Sequence, residues 1–224
     1  TLLPRAFGTK LDEIVVATKV GWAPKDPSKE MDHSRAAIVA CCEDSLRRLG
    51  RECVDLLYLH VYDEVTPVAE TAAGLRDLLD AGKARAVGLS NFPLNYMQAV
   101  HAQVELVAYQ PAYNLLDRDI EGSGHLPWCQ QHGMTIVSYS ATALGWLTGK
   151  FHRGAELPTD FRAGRRVFSA EHIERTRPEM TRFAAIAAAL SEGKKPSRIA
   201  RQLAAESGWP RREVYQLITG ESTS

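Results

Sequence analysis

The stretch Val54-Asp55-Leu56-Leu57-Tyr58-Leu59-His60 is a short apolar run that ends on a histidine. Its apolar residues are continuous rather than alternating, which is typical of a strand covered on both faces in a parallel sheet. Before it, the apolar spacing from Ser34 to Leu49 predicts a helix that Ser34 caps and Gly50 ends. After it, a helix is predicted from Ala69 to Ala81 and a further strand from Ala84 to Leu89. The chain therefore alternates helices with buried strands around residue 60.

The same alternation continues in both directions from this region. Three more apolar runs are predicted to be strands, namely Ile14–Lys19, Leu106–Gln110 and Thr135–Ser140. Helical patterns from Leu94 to Gln103 and from His125 to Gln131 separate the later ones. Five strands that alternate with helices predict an α/β fold with a parallel sheet.

Polar side chains stand where the predicted strands end. These residues are Lys19, His60, Ser90, Asn91, Gln110, Tyr139 and Ser140. Because the carboxyl ends of parallel strands meet at one edge of the sheet, we expect these side chains to form a site. Two simpler interpretations stay open, in which Lys19 is a solvated strand-end lysine and His60 is a hydrogen-bonded core histidine.

These residue types suit the reduction of a carbonyl by a nicotinamide. A lysine lowers the pKa of a neighbouring acid, and an imidazole orients or polarises a carbonyl group. The amides of Asn91 and Gln110 and the hydroxyl of Ser90 can hold a planar carboxamide, and Tyr139 can stack on a flat ring. Because no Gly-x-Gly-x-x-Gly follows a strand, a Rossmann dinucleotide site has no support.

Composition excludes several other classes of function. The 224 residues contain 27 Lys and Arg and 27 Asp and Glu, so no overall positive charge exists to bind nucleic acid or an anionic membrane. No apolar run approaches the roughly 20 residues of a membrane helix. The seven histidines lack metal-ligand spacing, and we expect no metal site. Four cysteines without paired spacing predict reduced thiols in a cytoplasmic protein.

A set of motifs resembles the aldo-keto reductase superfamily. They include Val16-Ala17-Thr18-Lys19, Ser45–Gly50, Val54–His60, Gly82–Phe92, Gln110–Leu116, Ser138–Ser140 and Leu147–Phe151, in family order and spacing. The resemblance implies a TIM (β/α)8 barrel and NAD(P)H-dependent reduction of aldehydes or ketones to alcohols, with NADPH the expected cofactor and NADH the alternative. The expected partner is a small-molecule carbonyl substrate, and the oligomeric state is left open.

The resemblance also implies a role for each strand-end residue. Lys19 and His60 match two members of the catalytic tetrad. Ser90, Asn91 and Gln110 match residues that bind the nicotinamide carboxamide. Tyr139 matches the residue that stacks on the nicotinamide ring, and Ser140 matches a pyrophosphate contact.

The sequence departs from the family at both ends. The family's first two strands and its eighth have no counterpart, which leaves about five of eight strands and no match for the catalytic aspartate and tyrosine. We therefore expect a truncated barrel over residues 1–190 with impaired activity.

Residues 191–224 are expected to form a helical, helix-turn-helix-like tail similar to the carboxyl-terminal segment of the 16S rRNA cytidine 2′-O-methyltransferase family. Nucleic acid is not an expected partner. The alternative function is a catalytically inactive, truncated or fused reductase-like protein whose basic tail contacts nucleic acid.

Overall fold

The fold is seen in a computed structural model of the chain, which describes residues 2–22, 31–153, 156–207 and 210–219. The chain divides into two compact units, Thr1–Ala141 and Thr142–Ser224. The first unit holds the five predicted strands, and the second is helical.

The first unit is built on one parallel sheet. Its strands run in sequential order and are β1 (Ala17–Val20), β2 (Leu56–Leu59), β3 (Val87–Leu89), β4 (Leu106–Tyr109) and β5 (Thr135–Ile136). This sheet confirms the predicted α/β fold with five consecutive parallel strands. The strands are shorter than predicted, and β1 and β3 lose residues at their amino ends, because regular pairing with a neighbouring strand covers only part of each apolar run.

Helices connect the strands of this unit. They are α1 (Leu2–Phe7), α2 (Arg35–Leu49), α3 (Val68–Asp80), α4 (Leu94–His101), α5 (Asp119–Gly122) and α6 (His125–Gln131), with a 3₁₀ helix at Gly8–Glu13. The predicted ends of α2 are confirmed. The Ser34 hydroxyl accepts a hydrogen bond from the Ala37 backbone N–H at 3.4 Å, and Gly50 adopts φ = 67°, which glycine tolerates without a Cβ clash.

The two faces of the sheet have different surroundings. Leu57 and Leu59 are fully buried in the hydrophobic cluster that includes Ile38 of α2 and Leu75 of α3. Tyr58 lies between them in sequence, so its side chain points to the opposite face. Lys19 is its register partner on β1. The sheet therefore has one face that packs on helices and another that carries Lys19 and Tyr58.

The second unit contains α7 (Ala170–Ser191), α8 (Pro196–Ser207) and α9 (Arg211–Thr219), with 3₁₀ helices at Ala143–Thr148, Lys150–Arg153 and Arg166–Phe168. Helices α8 and α9 share a small apolar core of Ile199, Ala200, Leu203 and Val214. The predicted tail thus contains two helices, while Gly208 and Trp209 of its predicted turn, and residues 220–224, lie outside the described residues. None of the described helices has the length and hydropathy needed to cross a membrane.

Candidate active site

The ends of the strands bring the predicted site residues to one edge of the sheet. Neighbouring strands stay hydrogen-bonded up to this edge, where the His60 N–H donates to Val20 O at 3.1 Å. In the same way, the Ser90 N–H donates to Leu59 O at 2.9 Å and the Gln110 N–H to Leu89 O at 2.8 Å. Successive strands therefore deliver these polar residues side by side, as expected from the parallel order.

Hydrogen bonds join five of the seven predicted residues into one network. The Ser90 hydroxyl donates to the backbone carbonyl of Gln110 at 2.7 Å. The Asn91 amide donates to Ser90 Oγ at 3.0 Å and to the backbone carbonyl of His60 at 3.1 Å. The Tyr139 hydroxyl donates to Asn91 Oδ1 at 2.8 Å, which joins the segments that follow β5 and β3. Asn91 is therefore the centre of this network.

Lys19 stands beside this network, and the imidazole of His60 lies next to it, since His60 joins the network only through its backbone carbonyl. Lys19 is exposed on β1, and its ammonium lies 5.9 Å from the centroid of the Tyr58 ring. Burial lowers the pKa of His60 below its ordinary value, and the positive charge of Lys19 lowers it further. His60 is consequently a neutral imidazole near pH 7, in the state that can orient a carbonyl by donating a hydrogen bond.

Two of the site residues have strained backbones. Asn91 adopts φ = 59° and Ser140 adopts φ = 56°. Positive φ is uncommon outside glycine, and such strain concentrates at functional sites. The turn at Ser140 is held by Asn114, whose side-chain amide donates to the Ser140 carbonyl at 3.1 Å and whose Oδ1 accepts from the backbone N–H of Leu116 at 2.8 Å.

Two further residues contact predicted site residues: Asn114, to which the sequence assigned no role, and Trp22, whose place just past Lys19 fits either a wall of the substrate pocket or the core. Asn114 lies in the motif Gln110–Leu116, four residues after a predicted ligand, and this position was the available signal. Trp22 lies three residues after Lys19, and its indole N–H donates to His60 Nδ1 at 2.5 Å. Trp22 is close to Lys19 in sequence and contacts His60 in space, so we place it in the same site.

One buried hydrogen-bond acceptor in the site is available to a ligand. Gln110 Oε1 is buried and has no hydrogen-bond partner, which normally carries a cost in free energy. The N–H groups of a carboxamide would satisfy it. Tyr139 stands nearby in the network, 38% exposed, and burial raises the pKa of its hydroxyl, so it stays a neutral donor. The residues present therefore fit a nicotinamide, with Gln110 and Asn91 at the carboxamide and Tyr139 at the ring.

Comparisons with known proteins identify the family of the chain. The model of the Aldo/keto reductase family matches residues 2–213. The L-glyceraldehyde 3-phosphate reductase of Escherichia coli (strain K12) is 35% identical over 169 residues, which are 73% of this chain and 48% of that protein. The aldo-keto reductase YhdN of Bacillus subtilis (strain 168) is 38% identical over 141 residues, 63% of this chain and 42% of its own length. The chain thus spans about half the length of these curated relatives.

Solved structures give the same family. The glycerol dehydrogenase AKR11B4 from Gluconobacter oxydans has a TM-score of 0.74 at 28% identity, over 100% of this chain and 78% of that one. An aldo-keto reductase from Klebsiella pneumoniae in complex with NADPH has a TM-score of 0.56 at 31% identity, over 68% of this chain and 50% of that one. These neighbours confirm the predicted aldo-keto reductase type of α/β fold.

The predicted resemblance of the tail to an rRNA methyltransferase is not supported. The reductase family model extends to residue 213 and so includes α8 and the start of α9, the segment that had resembled the other family. Two short amphipathic helices joined by a tight turn occur in many folds and carry little family information. With its family model matching residues 2–213, the chain belongs to the aldo/keto reductase family.

Proposed function

We propose that this chain carries the nicotinamide and carbonyl site of an NAD(P)H-dependent oxidoreductase that reduces aldehydes or ketones to alcohols. The observation that carries the proposal is the network of Ser90, Asn91, Gln110 and Tyr139 beside His60, with the unpartnered Gln110 Oε1 within it. Such a network positions a flat amide and ring next to an imidazole, which is the arrangement that carbonyl reduction needs.

Each residue has a distinct role in this proposal. When bound, the reduced nicotinamide supplies the hydride. Asn91 and Gln110 hold its carboxamide, and Ser90, whose hydroxyl is already bonded to the Gln110 carbonyl, keeps those two residues in place. His60 donates a hydrogen bond to the substrate carbonyl, and the ammonium of Lys19 stabilises the negative charge that develops on its oxygen.

We propose NADPH as the cofactor. One structural neighbour is an aldo-keto reductase in complex with NADPH, and another is in complex with NADP and acetate. The substrate proposal is a small aldehyde or ketone, by analogy with a relative named L-glyceraldehyde 3-phosphate reductase. The cofactor and the substrate are both proposed from relatives of which this chain covers about half.

We further propose that the chain assayed by itself is a slow reductase. No position of this sequence matches the tyrosine that the family resemblance implies as the acid. Tyr58 is the described tyrosine whose ring lies near Lys19, yet its hydroxyl is buried and has no partner. His60 is then the side chain best placed to pass a proton to the alkoxide, giving up its own ring proton and taking one back from solvent water.

The test is the consumption of NADPH by the purified chain with glyceraldehyde as substrate. We expect a slow rate that falls by about a hundredfold in His60→Ala, the lower end of what a positioned acid contributes. His132→Ala is the matched control, because His132 is an exposed histidine that stacks on Trp128 instead of joining the network, and it should keep the parent rate. Equal rates in the parent and His60→Ala would refute the role of His60.

A further inference from the structure

Trp22 makes a contact with His60 that has a consequence for the position of a proton. The two rings meet edge to face, with centroids 5.4 Å apart at an interplanar angle of 72°. The indole Nε1 lies 2.5 Å from His60 Nδ1. An indole nitrogen can only donate a hydrogen bond, so Nδ1 must be the acceptor and carry no proton.

We propose that Trp22 is a positioning residue that fixes His60 as the tautomer protonated at Nε2. A neutral imidazole has one ring N–H, and the hydrogen bond made by one nitrogen decides which nitrogen carries the proton. With Nδ1 occupied by the indole, the N–H is at Nε2. The inference rests on the proposed function in one respect, namely that this Nε2–H is the group offered to the substrate carbonyl.

The backbone around Trp22 is fixed by contacts on both sides. Trp22 forms an antiparallel bridge with Met31, and its carbonyl accepts a hydrogen bond from the Cys41 thiol at 3.3 Å. The carbonyl of Gly21 accepts from the Asp32 N–H at 2.8 Å. The indole therefore reaches His60 from an anchored position.

Gly21 shows how closely this segment is packed. It adopts φ = +107°, and a Cβ added there would lie 2.7 Å from Nε2 of the fully buried His33. His33 in turn donates its backbone N–H to Asp63 Oδ2 at 3.1 Å, and Asp63 belongs to the loop that follows His60. The Trp22 segment and the His60 loop are thus held together by contacts separate from the ring pair itself.

The consequence for the chemistry is a defined donor. If Nδ1 carried the proton instead, Nε2 would be an acceptor and would repel the lone pairs of a carbonyl oxygen. Trp22 removes that arrangement without touching the reacting atoms. It therefore acts through His60, and its side chain, 47% exposed, is free to border the mouth of the site as well.

The test is a long-range ¹H–¹⁵N correlation spectrum of the full chain labelled at histidine nitrogens, recorded near neutral pH without cofactor or substrate. His60→Asn identifies the His60 signals by their loss. In the parent we expect a pyrrole-type Nε2 and a pyridine-type Nδ1. In Trp22→Phe we expect the ratio of Nε2–H to Nδ1–H tautomers to fall about fivefold, which corresponds to a hydrogen bond of about 1 kcal/mol.

Trp128→Phe is the matched control, because it removes an indole that contacts His101 and His132 and should leave the His60 signals unchanged. A parent His60 protonated at Nδ1, or a Trp22→Phe spectrum identical to the parent, would overturn the proposal. The parent spectrum decides the first point even if the variant does not fold. Because the spectrum needs no NADPH, this failure is distinguishable from a failure of the proposed function, which would appear as absent cofactor binding.

Discussion

Gly88→Ala tests the packing of strand β3, which leads into the site. Gly88 is the middle residue of β3 and pairs with Tyr58 on one side and Ala108 on the other. A Cβ added at Gly88 would lie 2.6 Å from the Ala108 carbonyl oxygen and 2.8 Å from Cε1 of the Tyr58 ring. The first neighbour is backbone and the second is a ring only 2% exposed, so neither yields easily. Strand β3 must therefore move.

The expected cost follows from these distances. Overpacking of a well-packed interior costs about 1–3 kcal/mol, and two contacts this short place Gly88→Ala near the upper limit. The loss of chain entropy in the unfolded state returns roughly 0.4–1 kcal/mol. We therefore expect the free energy of unfolding of the first unit to fall by about 2 kcal/mol. Ser90 and Asn91 directly follow β3, so the site should be disturbed as well.

The assay is urea unfolding with amide hydrogen exchange of the peptide that covers residues 84–92. Exchange reports on β3 directly, which matters because the chain has two compact units. Gly122→Ala is the control, since a Cβ there meets nothing within 4 Å, and we expect it to keep the free energy of unfolding or raise it by up to about 1 kcal/mol. Equal unfolding midpoints and equal exchange for Gly88→Ala, Gly122→Ala and the parent would refute the steric argument.

Three further predictions concern other parts of the first unit. Asp55→Ala should lower the free energy of unfolding by about 1–3 kcal/mol in urea, because the carboxylate accepts from the buried Val16 N–H at 2.8 Å; an unchanged midpoint would contradict this. Burial lowers the pKa of His33 in the folded chain. The unfolded chain therefore binds a proton at His33 near pH 6.5, where the folded chain does not, and the free energy of unfolding should fall as the pH drops below about 6.5. His33→Gln should weaken that pH dependence in urea titrations, and an identical slope would count against it. Tyr139→Phe loses the bond to Asn91 but keeps the ring, and should weaken NADPH binding by about fivefold in a fluorescence titration, whereas equal affinity would show that the bond is unimportant.

Much of the fold follows from local patterns in the sequence. Helix α2 begins and ends where Ser34 and Gly50 predict, because a cap and a left-handed glycine act within a few residues. The order of the strands follows from continuous apolar runs such as Val54–His60. The strand ends were less accurate, since hydrogen bonding between strands decides where a ladder stops, and no single run contains that information.

The site was predicted as a set of residues, and its geometry was not. Parallel strands place polar residues at a common edge, which is why Ser90, Asn91 and Gln110 were grouped together from the sequence. The bond from Tyr139 to Asn91 joins residues 48 positions apart, and that from Trp22 to His60 joins residues 38 apart. Such contacts depend on strand register and backbone strain, which composition and spacing do not specify.

The tail shows the limit of resemblance over a short segment. The segment contains two amphipathic helices, α8 and α9, whose apolar spacing repeats with the helical period. Their assignment to another family was not supported, because a hairpin of about two dozen residues is compatible with many folds. The charge of these helices predicts an exposed face, and it does not select a partner.

The most direct measurement is a titration of the purified chain with NADPH, followed by nicotinamide fluorescence, with Gln110→Ala and Gln130→Ala in parallel. The site predicts saturable binding to the parent at one NADPH per chain. Gln110→Ala should bind at least about tenfold more weakly, because it removes the buried acceptor left without a partner, while Gln130→Ala, an exposed residue of α6, should bind like the parent. A soluble, folded parent that shows no saturable binding would contradict the proposed nicotinamide site.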